Sequence, residues 1–166
     1  LLAEAAQQAG GADVNGSVSF VVKGNPAPAG SKSAFPFRRR DGRLGVRVTD
    51  ASGARGKAWR EAVALAASRA MGGQKPMTGP LKLTAMFYLS RPKSHFNSRG
   101  LLKDKSASML HHTQKPDLTK LLRAVEDAMT GIVYEDDAQI VGQTVGKFWT
   151  DGDPLANVFV WQESDA

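Results

Sequence analysis

Two periods of apolar residues run through this chain, one of two residues and one of three to four, and between them they lay out the elements. Ser17–Val22 (S-V-S-F-V-V) reads as a strand, ended by Gly24 and the pair Pro26/Pro28. Asp41-Gly42 is a turn signal and Leu44–Val48 alternates, so 34–49 is expected to form a hairpin. Over 58–71 the period changes: Trp59, Val63, Ala66, Ala67 and Ala70 recur at helical spacing, and Gly72-Gly73 follow. After Pro80, Leu81, Leu83, Ala85, Phe87 and Leu89 share one face of a strand. No period is sustained from Arg91 to Lys115, and a stretch that long is usually functional or disordered. A second helix begins after Pro116 and runs to Met129, with the stripe Leu118, Leu121, Leu122, Val125 and Met129 and a stop at Gly131. Two further strands are predicted at Gln139–Phe148 and Leu155–Trp161, joined by Asp151-Gly152-Asp153-Pro154.

The order β, hairpin, α, β, α, β, β argues an α+β domain over 16–166, a mixed β-sheet with two main helices packed on it. Residues 1–15 are Ala/Gln/Gly-rich, lack a core pattern and are expected to be a flexible extension. They carry no basic residue and break at Gly10-Gly11, unlike a signal peptide, and no apolar run approaches the roughly 20 residues that span a bilayer. There is no cysteine, which excludes disulfides and thiolate chemistry and fits a reducing, cytoplasmic setting.

Charge changes the picture more than composition does. The net charge is +6, but residues 31–60 carry nine Lys/Arg against two acids, 91–120 seven against two, and 121–166 two against nine. A basic front and an acidic rear suit a polyanion such as DNA together with an acidic site that needs cations. The alternative is a merely solvated surface. Lys32, Arg38, Arg39, Arg40, Arg43 and Arg47 are candidates to line a duplex arm, and Lys93, Arg99, Lys103, Lys105 and Lys115 to close over it. Phe35 and Phe37, beside the arginine run, are read as core residues, with stacking at a DNA branch as the other role. His95, His111 and His112 are taken as loop residues, and Trp59, Trp149 and Trp161 as core anchors.

The chemistry concentrates in K-P-D-L-T-K-L-L-R-A-V-E-D-A-M-T-G-I-V-Y-E-D-D-A-Q, residues 115–139. Pro116 disfavours helix for the residue before it, so Asp117 falls at a helix N-terminus, where the dipole stabilises a carboxylate. Glu135, Asp136 and Asp137 follow one helix later, and adjacent like charges are unfavourable unless screened. Hard oxygen donors from two elements suit Mg²⁺ or Mn²⁺. Lys120 and Arg123, opposite Leu121/Leu122, are placed to neutralise charge on a reacting phosphate. Read blandly, Asp117 is a cap and 135–137 a solvated turn.

The same segment, with its D-D-A-Q ending, resembles the signature of RusA-type Holliday junction resolvases. The likeness extends more loosely over 16–161, through R-P-K-S-H-F at 91–96, L-L-K-D-K-S-A at 101–107 and Lys147. It implies a homodimeric, Mg²⁺- or Mn²⁺-dependent structure-selective endodeoxyribonuclease, bacterial or phage-encoded, that resolves four-way junctions in recombination and repair. By resemblance the metal-binding acids fall on Asp117 and Asp137, with Asp136 beside them, and the helix lysine on Arg123, making Asp117, Asp137 and Arg123 the catalytic set. Lys32, Arg38, Arg39, Arg40, Lys115, Lys120 and Lys147 are the expected DNA contacts. One departure stands out: the usual D-L-D is here D-L-T, with neutral Thr119 in place of the second acid. Asp136, Glu135 or Asp127 then compensates, or the chain is a weakened or inactive junction-binding protein. Asp127, about 80° round and roughly 15 Å along the helix from Asp117, suits an ion pair with Arg123 better.

Overall fold

The computed structural model describes residues 12–13, 16–30, 32–50 and 53–164, with 12, 13, 32–34 and 47–50 described as backbone. The strands are β1 (Ala12–Asp13), β2 (Ser17–Lys23), β3 (Lys32–Arg38), β4 (Leu44–Asp50), β5 (Leu81–Ser90), β6 (Ile140–Thr150) and β7 (Leu155–Gln162). The helices are α1 (Gly53–Met71), the single-turn α2 (Asp104–Ala107) and α3 (Leu118–Met129). Five strands form one mixed sheet in the order β1-β2-β7-β5-β6, antiparallel except for β5–β6, while β3 and β4 make a separate ribbon. A parallel pair needs a long crossover, and here it is the whole segment from Arg91 to Gln139, which carries α3.

The predicted face of β5 is the centre of the core: Leu81, Leu83, Ala85 and Phe87 are at most 1% exposed. Val18, Phe20 and Val22 of β2 and Ala156, Val158 and Val160 of β7 extend it. Onto this face α1 places Trp59, Val63 and Ala67, and α3 places Leu121, Leu122, Val125 and Met129. Fully buried Ala67 and Ala124 leave room for the two helices to lie against each other. Burying side chains of this size contributes about 1.5–3 kcal/mol each, which is what holds two helices on one sheet face. α1 begins five residues before the predicted start because its first turn, Gly53–Lys57, buries only Gly56 and so shows no period.

The opposite sheet face carries no helix among the described residues. Tyr88 stacks on Phe148 there at 5.6 Å, and Phe159 on Trp161 at 4.9 Å. Trp161 is therefore not a core anchor: it alternates with Val160, which takes the inward position. Trp149 is buried, yet outside the main core, between His112 at 4.0 Å and His95 at 4.9 Å. Phe35 and Phe37 depart from the core reading as well, at 57% and 46% exposure, because among the described residues nothing covers their rings on the β3–β4 ribbon.

The stretch without periodicity, 91–115, is folded by local polar contacts. Asn97 Oδ1 accepts from the amides of Arg99 and Leu101, and Lys103 N donates to His95 O. The Arg91 guanidinium bonds Asp151, Ser106 O and Met109 O, fixing both ends of the loop. Residues 110–112 then run along β6, with Trp149 N donating to Leu110 O and His112 N to Lys147 O. Of 1–15, Ala12–Asp13 pair antiparallel with β2, and the rest lie outside the described residues. No helix among the described residues is long and apolar enough to cross a membrane.

Candidate active site

Helix α3 organises the acids and bases of the signature. Asp117 is its N-cap, extended at φ −68° and ψ 139°, and Leu121 N donates to its carbonyl at 3.1 Å. The Asp117 carboxylate makes no capping bond; its one ion pair is with Lys120 Nζ at 3.5 Å. Lys147, inward-facing on β6, donates to the carbonyls of Gln114 and Pro116, both at 2.6 Å, and so fixes the entry to the helix. The Lys115–Pro116 peptide is cis. Beside Asp117 opens a cleft of about 620 Å³, lined by 25–30, Arg55, Leu89, Lys115, Pro116 and Lys120. Three cations around one exposed carboxylate make this end of the site receptive to phosphate.

The other end of α3 holds a second polar group. Half-buried Glu126 accepts a hydrogen bond from the Gln143 amide of β6. Burial pushes its carboxyl above the ordinary range, and the negative charges of Asp137 and then Asp127 push it further, against the opposing Gln143 bond. Burial, followed by the charges of Glu126 and Asp137, also raises the Tyr134 phenol, whose hydroxyl donates to Glu126 O at 3.0 Å. Glu126 and Asp137 thus lie within each other's field, a pairing that a cation would relieve.

The D-D-A-Q sequence divides its labour. Asp136 accepts from Ala138 N at 2.9 Å as cap of a 3-10 turn, Asp137–Gln139. Gln139 Oε1 accepts from the amides of Glu135 and Asp136, while its Nε2 donates to Met77 O and Gly79 O. Asp136 and Gln139 therefore build the turn, and the exposed Asp137 carboxylate is left for other work.

Helical spacing decides which residues share the flank facing β6. Thr119, Arg123 and Glu126 are separated by four and three residues and project on one side, next to Leu122. Asp117 is nine residues before Glu126, roughly 13 Å along the axis, so the two acids stand at opposite ends of the helix. Among the described residues, no three His, Cys, Asp or Glu side chains converge as for one ion. The carboxylates of α3 and of the acidic turn are hard oxygen donors of the kind that suit a divalent cation such as Mg²⁺. Arg123 and Asp127 form no ion pair among the described residues.

The remaining candidates are spread out. Arg38, Arg39 and Arg40 are exposed at the end of the β3–β4 hairpin, and Lys115 and Lys120 are exposed at the cleft. The side chain of Lys32 lies outside the described residues. His95 and His112 are 8% and 7% exposed, with Nδ1 atoms buried and unpartnered, and belong to the Trp149 cluster. Glu126 was missed by sequence reasoning, which weighed Asp127 instead. The signal was its place seven residues after Thr119, two turns along the same flank.

The family model "Endodeoxyribonuclease RusA" matches residues 26–160, spanning both helices, the hairpin and the acidic turn. The uncharacterized protein YqaN of Bacillus subtilis (strain 168) is 29% identical over 150 residues, covering 89% of this chain and 97% of that protein. With the signature on α3 and the family match across most of the fold, this chain belongs to the RusA endodeoxyribonuclease family.

Proposed function

We propose that this chain is a structure-selective endonuclease that cuts four-way DNA junctions in recombination and repair, acting in the cytoplasm as a homodimer with Mg²⁺ or Mn²⁺. The observation that carries this reading is the cleft at the N-terminus of α3, where Arg55, Lys115 and Lys120 surround the exposed Asp117 carboxylate; at the other end of the helix the charges of Glu126 and Asp137 act on one another. Arg55, Lys115 and Lys120 hold the DNA backbone at the cleft, and Lys147 keeps the entry to α3 in place. Arg123, between Thr119 and Glu126 on the same flank, neutralises charge at the reacting phosphate. Its planar guanidinium does so with a fixed fork of donors, unlike a lysine.

Glu126 and Asp137 are the residues that would hold the ion, with Glu126 taking the place of the acid absent at Thr119; Asp117 serves the cleft. A divalent ion bound there lowers the pKa of a water and offsets charge on the scissile phosphate. A homodimer would present two such sites to opposed strands, matching the near two-fold symmetry of the junction.

A second reading is favoured by Thr119 alone: a junction-binding protein with weakened chemistry. One gel assay separates them. A labelled four-way junction is incubated with Mg²⁺ and the chain, Asp137→Asn or Thr119→Asp. The nuclease reading expects cutting by the chain and by Thr119→Asp, and intact binding without cutting by Asp137→Asn. Cutting by Thr119→Asp alone establishes the weakened form, and no junction preference in any of them rejects both readings.

A further inference from the structure

The β3–β4 hairpin is not used by the chemistry above, yet it is an unusual surface. A two-stranded ribbon is marginal in water by itself, and among the described residues this one joins no other strand. It nevertheless exposes Phe35 and Phe37 at 57% and 46%. The two rings are two residues apart and project to the same face.

Opposite Phe37 in register is Gly45. A Cβ at that position would stand 2.9 Å from Phe37 Cε1 and Cζ and 3.1 Å from Arg39 Nε. The absence of a side chain lets the Phe37 ring and the Arg39 guanidinium lie across the ribbon over Gly45, which they bury. One side of the ring rests on the backbone and the rest is open.

Charge identifies the occupant. Residues 32–49 contain Lys32, Arg38, Arg39, Arg40, Arg43 and Arg47 against the single acid Asp41. Asp41 is taken up in the turn, where its Oδ1 accepts from Arg43 N at 3.1 Å. A second copy docked hairpin to hairpin would set like charge against like. Open rings among arginines match a nucleic-acid strand, whose bases offer π-faces and whose phosphates offer negative charge.

We propose that the β3–β4 hairpin is a base-stacking platform, on which Phe35 and Phe37 receive unstacked bases while the neighbouring arginines hold the adjoining phosphates. This rests on the DNA-junction reading above and adds to it a source of branch preference. An intact duplex keeps its bases stacked and offers these rings nothing, whereas a branch point or single strand offers loosened bases.

The test is fluorescence anisotropy at fixed salt with a labelled four-way junction, a linear duplex and a dT oligonucleotide. Phe35→Leu/Phe37→Leu keeps apolar bulk but removes both aromatic rings, and Phe37→Trp keeps an aromatic ring at each position. The double variant is expected to lose about 10- to 100-fold in affinity for the junction and the dT oligonucleotide, with duplex affinity within about threefold. Phe37→Trp is expected to retain junction binding. Unchanged junction affinity in the double variant overturns the platform while leaving the DNA reading standing. Equal weakening on all three DNAs also overturns it, because the rings would then serve general affinity. If the unaltered chain binds none of the DNAs, the platform and the reading beneath it fail together.

Discussion

Replacing Gln139 by leucine should loosen the acidic turn and lower the stability of the whole domain. The Gln139 side chain makes four hydrogen bonds, with Glu135 N at 3.0 Å, Asp136 N at 3.1 Å, Met77 O at 3.0 Å and Gly79 O at 3.2 Å. They connect the turn before β6 to the segment leading into β5, so one side chain fixes where the parallel pair begins. A net 0.5–1.5 kcal/mol per bond, taken toward the low end because most of these contacts are exposed, totals about 2–4 kcal/mol for Gln139→Leu. At roughly 2–4 °C per kcal/mol for a chain of this size, the melting temperature should fall by about 5–15 °C. Gln139→Glu should also destabilise, because it turns a carboxylate oxygen toward the Met77 and Gly79 carbonyls. Thermal unfolding followed by circular dichroism reads both. A shift of under about 2 °C for Gln139→Leu would refute the view that this residue holds the turn.

Two further predictions concern packing and pH. A Cβ at Gly146 would stand 2.6 Å from Phe148 Cε2 and 2.8 Å from Met86 Sδ, so Gly146→Ala should cost about 1–3 kcal/mol in urea unfolding; a neutral result would mean these two side chains shift freely. Burial first, and the charge of Lys147 second, hold the His112 imidazole below its ordinary value of 6.5 against two opposing backbone hydrogen bonds. The unfolded chain takes this proton more readily than the folded one, so this contribution to stability is full above about pH 6.5 and declines as pH falls below it. His112→Phe should therefore narrow the difference in melting temperature between pH 7.5 and pH 5, and an unchanged difference would show that other groups carry it.

What could be read from the residues followed their periodicity. The inward face of β5 and the stripe of α3 were legible because each repeats over at least ten residues and each is buried on one side only. Residue type alone misled where the pattern was short. Phe35, Phe37 and Trp161 look like core residues, but which face they occupy depends on what is packed above them, and that is a tertiary fact. The turns within 91–115 rest on side-chain bonds such as those of Asn97, which leave no apolar period. At the site, Asp117, Asp136 and Asp137 drew notice as acids near one another in sequence. Only the fold shows Asp136 occupied as a cap, and Glu126 brought against Gln143 by a helix that returns beside β6.

The proposed cation ligands are Glu126 and Asp137, with Asp136 kept for the turn. Calorimetric titration with Mn²⁺ tests this assignment on the chain and on Glu126→Gln, Asp137→Asn and Asp136→Asn, each checked for folding by circular dichroism. The account predicts that Glu126→Gln and Asp137→Asn each weaken binding tenfold or more, while Asp136→Asn, which keeps a capping oxygen, stays within about threefold. Full Mn²⁺ affinity in Glu126→Gln, with loss in Asp136→Asn, would contradict it.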